Sequence, residues 1–192
     1  HFDVYERIRT LGIDLGTLAD RVRSLKGAGI AGAIFHESGL VYLSGVGLGE
    51  RQMSDDPERV ALGQAAGKAC ADHHIATLHW AIACGGEGGD LNDVLYTVKV
   101  LGMVVSTDVD FRSGPAVVNG YSFRWQSVFG GGAGQFAVDG LDAGGYAGVH
   151  ARSAIGGFTG RFSLEPEIIV ALPVELTRAI IANRGWVFPL IP

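Results

Sequence analysis

Three histidines, His73, His74 and His79, lie close together and are the side chains best suited to hold a metal. Their spacing does not serve, because neither an i, i+4 pair nor an H-E-x-x-H pattern occurs. His73 falls on an apolar stripe and reads as a satisfied core or interface histidine. Two glycine-bearing segments invite a nucleotide. Gly45-Val46-Gly47-Leu48-Gly49 lacks the G-x-G-x-x-G spacing, and the next helix starts several residues too late. Gly63-Gln64-Ala65-Ala66-Gly67-Lys68 has the wrong spacing for a phosphate loop, no Ser or Thr after the lysine, and a position inside a helix. No G-x-S-x-G elbow is present. No metal and no cofactor is therefore expected. Cys70 and Cys84 belong to one predicted helix, where a rise of ~1.5 Å per residue puts them roughly 21 Å apart, beyond disulfide reach. They read as free thiols in a reducing compartment.

The elements that must position any site follow from hydrophobic spacing. Val4, Ile8, Leu11, Leu15, Leu18 and Val22 recur at three- and four-residue intervals, predicting one or two short helices over 3–25, interrupted near Gly12 and Gly16. Residues 29–35 and 40–46 read as a hairpin around His36-Glu37-Ser38-Gly39. Ser54-Asp55-Asp56-Pro57-Glu58 is a helix start, and Gly85-Gly86 ends that helix. Its apolar stripe is expected to include Leu62, Ala65, Ala69, His73, Ala76 and Trp80. Asp93 to Ser106 is rich in Val, Tyr and Thr and reads as a central strand. Residues 114–129 form a second helix with Val118, Tyr121, Trp125 and Phe129 on one face. A Gly-rich loop spans 130–148. Strands over 149–158 and 165–172 and a closing helix over 174–183 complete the chain. This order predicts an α+β fold: a mixed sheet with two helices packed on one face.

Composition limits what such a fold can do. Of 192 residues, 47% are hydrophobic and only 18% charged, the latter below the ~25% usual for soluble domains. Surplus apolar surface, together with a sheet face left uncovered, points to burial against other subunits. No apolar run approaches the ~18 residues of a membrane span, so no membrane is expected as a partner. The absence of a secretory apolar region leads to the expectation of a cytoplasmic protein. The net charge is -5, with 15 basic against 20 acidic residues and no basic stripe. Nucleic acid is not expected as a partner.

One set of segments carries more. His150-Ala151-Arg152-Ser153-Ala154 is followed by Glu165-Pro166-Glu167-Ile168-Ile169-Val170. Upstream stand Val41-Tyr42-Leu43-Ser44-Gly45, Gly63-Gln64-Ala65-Ala66, Leu91-Asn92-Asp93-Val94 and Val117-Val118-Asn119-Gly120. In this order they resemble the Rid/YjgF superfamily of reactive-intermediate imine and enamine deaminases, formerly called L-PSP endoribonucleases. The branch of YjgF-like proteins labelled endoribonucleases, which share the VVNG and HARSA segments, is the most similar. The resemblance covers about residues 28–172. It divides the chain into an N-terminal helical extension (1–27), a Rid/YjgF-like domain (28–172, with the Gly-rich insertion 130–148) and a C-terminal extension (173–192).

The resemblance implies a chorismate-mutase-like α+β fold assembled as a homotrimer, with clefts between subunits and no cofactor. In such a cleft Arg152 would clamp a substrate carboxylate, as a guanidinium fork does bidentately. Glu167 would be the catalytic group that places a water or moves a proton, and Ser44 and Asn119 would contact the substrate. The implied function is hydrolysis of an enamine, imine or related C–N bond in a small carboxylate-bearing metabolite. The alternative is a non-catalytic binding protein for a small carboxylate, and the acidic charge argues against an endoribonuclease. Two positions depart from the family: Ala31 stands where active deaminases carry a tyrosine, and Ala154 where they carry a cysteine.

Overall fold

Two of the helices begin on an acidic side chain. The Asp3 carboxylate accepts the amide of Tyr5 at 3.0 Å and starts α1 (Val4–Thr10). Asp56 accepts the amide of Glu58 at 3.0 Å at the head of α2 (Pro57–Gly85), where Pro57 gives up no hydrogen bond. The Asp55 carboxylate reaches across the chain to the amides of Arg112 and Ser113, at 3.1 and 2.8 Å, just before α3 (Gly114–Phe129). The Ser113 side chain, helped by these two backbone donors, holds the Asp55 carboxyl below its ordinary pKa. The fourth helix, α4, runs Val174–Arg184. The computed structural model describes residues 3–18, 32–44, 46–47, 53–85, 88–106, 108, 110–130, 149–154, 164–184 and 187–188.

The strands are β1 (Gly32–Phe35), β2 (Leu40–Ser44), β3 (Tyr96–Val105), β4 (Val149–Ala154), β5 (Leu164–Ala171) and β6 (Val187–Phe188). They form one sheet in the order β4-β3-β5-β2-β1-β6. All pairings are antiparallel except β3 with β4, so the sheet is mixed, as expected. The β1–β2 hairpin closes through Gly39, whose φ of +93° suits glycine. A Cβ there would lie 2.5 Å from the Leu172 carbonyl oxygen.

The helices lie on one face, whose core includes Phe35, Leu43, Ile75, Leu78, Val104, Tyr121, Trp125 and Ile168. The layer holds one helix more than the sequence suggests, because α4 packs beside α2 and against β1, with Thr177 and Ile180 buried. Outside this layer α1 lies over α3 and the 3-10 turn Leu91–Asp93, adding Val4 and Ile8 to the same core. The expected strand start at Asp93 becomes that turn instead. Its capping box joins Asp90 and Asp93, and the Tyr5 hydroxyl accepts the Leu91 amide. Residues 19–25, 131–148 and 155–158 of the expected segments lie outside the described residues, as does Ala31.

The expected apolar stripe of α2 needs correction. Leu62 is 64% exposed and Ala65 is exposed, while the buried side of the first half carries Gly63, Gly67, Cys70 and Ala71. The reason is the approach of α3. A Cβ on Gly67 would lie 2.8 Å from the Tyr121 amide nitrogen, and one on Gly120 would collide with the Gln64 backbone. Glycine is required where the two helices touch, so the tightest contact shows no hydrophobic side chain at all.

Candidate functional site

The face of the sheet away from the helices carries Ser44 and Glu167, two of the residues singled out from the sequence. Among the described residues no helix covers it, and Ile34, Tyr42 and Tyr96 are 43%, 41% and 46% exposed. Strand alternation places them there: Val41, Leu43, Ile168 and Val170 go under the helices, leaving Tyr42, Glu167 and Ile169 on the other side.

Register fixes the neighbours. Tyr42 pairs with Ile34 on one side and Ile169 on the other. Two residues further along both strands come Ser44, opposite Gly32, and Glu167, opposite Leu101. Leu101 in turn pairs with His150, and two residues on Met103 pairs with both Glu165 and Arg152. Ser44 is half-buried and Glu167 exposed. Ser44, Glu167 and the backbone position of Arg152 therefore fall in adjacent rows of four neighbouring strands. Asn119 does not join them. It sits half-buried on α3, in a groove on the outer side of the helix layer.

Beneath Ser44 lies a buried pair, His74 and Tyr121, of which only His74 has a side chain suited to a metal. His74 is fully buried, with Nδ1 2.7 Å from the Tyr121 hydroxyl. Burial, with a smaller contribution from neighbouring His73, drives its pKa down from 6.5 to about 3. The Ser44 backbone offsets this in part, although His74 Nε2 makes no full hydrogen bond. The imidazole is therefore neutral at physiological pH. Burial likewise raises the Tyr121 pKa well above its ordinary value. Tyr121 stacks on Trp125, whose Nε1 donates to Thr97 Oγ1 at 2.9 Å. This column, α2 to α3 to β3, supports the sheet from behind. No sequence motif announces it; the signal was two polar side chains, His74 and Tyr121, within otherwise apolar helical faces.

His73, as expected, is satisfied in the core, with Nδ1 2.8 Å from the Ala69 carbonyl. Cys70 and Cys84 lie on α2 and are not joined in a disulfide. Among the described residues no cluster of three His, Cys, Asp or Glu side chains is placed to hold a metal ion, and no helix is long and apolar enough to cross a membrane.

The architecture and this open sheet face define an α+β protein of a recurring fold. A protein of unknown function from Agrobacterium tumefaciens shares it, with a TM-score of 0.55 and 22% sequence identity over 82% of this chain and 97% of that one. So does a "putative endoribonuclease" from Shewanella oneidensis MR-1, with a TM-score of 0.52 and 18% identity over 70% of this chain and 80% of that one. No protein-family model and no curated protein matches the sequence.

Proposed function

We propose that this chain is a Rid-like hydrolase with the chorismate-mutase-like fold, acting in clefts between the subunits of a homotrimer. Its substrate is an enamine, imine or related C–N compound of a small carboxylate-bearing metabolite. The observation that carries this reading is the exposed Glu167 in the row after Tyr42 and Ile169, beside Ser44 and one row from Arg152. The fold shared with the Shewanella protein supports the same lineage.

In this reading Arg152 grips the carboxylate through its fork, and Ser44 borders the pocket. Glu167 holds a water against the imine carbon, which is already electrophilic and needs no cofactor. Water adds to that carbon, the C–N bond breaks, and ammonia leaves as a carbonyl forms. Glu167 relays the proton from water to nitrogen. The exposed Ile34, Tyr42 and Tyr96 are the apolar surface a second subunit would cover. Cleavage of RNA is disfavoured by the excess of acidic residues.

Ala31 supports a second reading, in which the cleft binds a small carboxylate without turning it over, since no aromatic side chain stands there to wall the reacting carbon. Imines generated in situ by amino-acid oxidation separate the two. Hydrolysis predicts ammonia release above the buffer rate, abolished in Glu167→Gln. Release at the buffer rate across a panel of imines overturns the hydrolase and leaves the binding protein.

A further inference from the structure

The groove between α2 and α3 lies across the helix layer from the sheet face, and the proposed hydrolysis makes no use of it. It is an open groove of about 420 Å³. Its apolar part is Phe123, half-exposed at 52% where an aromatic ring is ordinarily covered. Its floor is Gly120 against the backbone of Gln64, where no side chain fits.

The polar groups around that ring are all suited to an anion. Lys68 lines the groove and is exposed, with no ion-pair partner among the described residues. Arg124 lines it too, with only 9% of its side chain exposed. Its Nε and Nη2 are held by Asp72, at 2.6 and 3.1 Å, and Nη2 also reaches the Leu11 carbonyl at 3.5 Å. Nη1 has no partner among the described residues. The Asn119 amide is likewise unengaged by any of them. Gln64 Nε2 is already spent on the Ala116 carbonyl, and the Ser127 hydroxyl on the Arg124 carbonyl. At the Ser127 end Arg7 Nη1 comes within 3.4 Å of the Ser127 carbonyl. No carboxylate is among the lining residues. On a chain of net charge -5, this is a locally cationic groove with an aromatic wall.

We infer that the groove between α2 and α3 binds a small aryl carboxylate, its ring against Phe123 and its carboxylate among Lys68, Asn119 and Arg124. Asp72 already takes one edge of the guanidinium, leaving a single nitrogen. With Asp72 offsetting Arg124, the uncompensated charge is that of Lys68, which matches a carboxylate monoanion better than a phosphate dianion, for which full forks or clustered backbone amides are the usual partners. The ring selects against acetate, and the Lys68 ammonium selects against an amine of the same shape.

Titration of the ¹⁵N-labelled full chain with phenylacetate, followed by amide NMR, tests this. The expected result is saturable shifts at Lys68, Asn119, Gly120 and Phe123, with acetate, benzylamine and inorganic phosphate each at least tenfold weaker. Lys68→Glu and Phe123→Ser replace exposed side chains, leave the fold intact, and should each weaken phenylacetate at least fivefold. Glu167→Gln should leave it unchanged, which separates this site from the proposed hydrolytic one. Four results would overturn the inference: absence of saturable binding, equal binding of benzylamine or phosphate, shifts confined to the Ser44 and Glu167 face, or indifference to both groove substitutions.

Discussion

Nδ1 of His74 lies 2.7 Å from the hydroxyl of Tyr121, and both rings are wholly enclosed between α2 and α3. Burial keeps the imidazole neutral in this contact. With Nε2 protonated toward Ser44, the tyrosine donates to Nδ1 and the pair is satisfied on that side. Protonating the ring would place two N–H donors and a charge in an apolar enclosure.

Acid should therefore unfold this protein early. His74 has a folded pKa of about 3 against 6.5 when unfolded. Between those values the unfolded chain binds more protons, so stability is intact above pH 6.5 and is lost as pH falls toward 3. The slope from this one residue is at most about 1.4 kcal/mol per pH unit. His79, also lowered by burial, acts in the same direction. Urea midpoints measured from pH 7.5 to 4.5 should fall steadily, and more shallowly in His74→Phe. A flat profile would mean that His74 is solvated.

The helix crossing gives a second expectation. Gly67→Ala puts a methyl 2.8 Å from the Tyr121 amide nitrogen, part of a backbone that cannot step aside. The cost should be about 1–3 kcal/mol, as for overpacking elsewhere, read as a lower melting temperature. Gly16→Ala, whose nearest added contact is the Asp14 carboxylate at 3.4 Å, should change little.

Asp72 holds the buried guanidinium of Arg124 from α2 to α3. Asp72→Asn leaves that charge without its counterion and should cost about 2–4 kcal/mol. The double change Asp72→Asn with Arg124→Gln removes the stranded charge and should recover part of the loss. Chemical denaturation of the three variants forms the cycle; additive losses would show that the pair is not coupled.

For the proposed site, Arg152→Ala should leave the melting temperature nearly unchanged and lower kcat/KM or ligand affinity by about 3 kcal/mol. Lysine there should restore only part, since it keeps the charge and loses the fork. Unfolding by Arg152→Ala, with surviving activity unchanged, would make the arginine structural.

Assembly is checked by light scattering. The proposed trimer has three times the 20.1 kDa of one chain, and Tyr42→Asp, a charge set into the 41%-exposed position on the open face, should shift it toward smaller species. A monomer at micromolar concentration would remove the inter-subunit cleft.

Much of this architecture was legible in the residues. The cap at Asp56-Pro57, the stop after Phe129 and the turn at Gly39 are local chemistry, and the elements they bound fall where spacing predicts. Strand alternation likewise exposes Glu167 beside Ser44. What was not legible depends on contacts between distant segments. The buried side of α2 is glycine where Gly120 and Tyr121 approach, so hydrophobicity pointed to Leu62 instead. The two-residue β6 is too short to carry a pattern and exists because β1 offers it an edge. Asn119, grouped with Ser44 and Glu167 by motif, lies in the groove across the helix layer because α3 presents its outer side there.

The sheet order β4-β3-β5-β2-β1-β6 also governs how the chain can reach this state. Apart from the β1–β2 hairpin, its pairings join distant segments: Leu43 to Ile168 and Ala33 to Phe188. Such pairings carry a large loop-closure entropy before any contact repays it, the mark of high contact order and slow folding. On a ribosome β2 has no β5 to pair with until most of the chain is made. Until then the apolar strand Leu40–Ser44 presents an unpaired edge, open to association with other nascent chains.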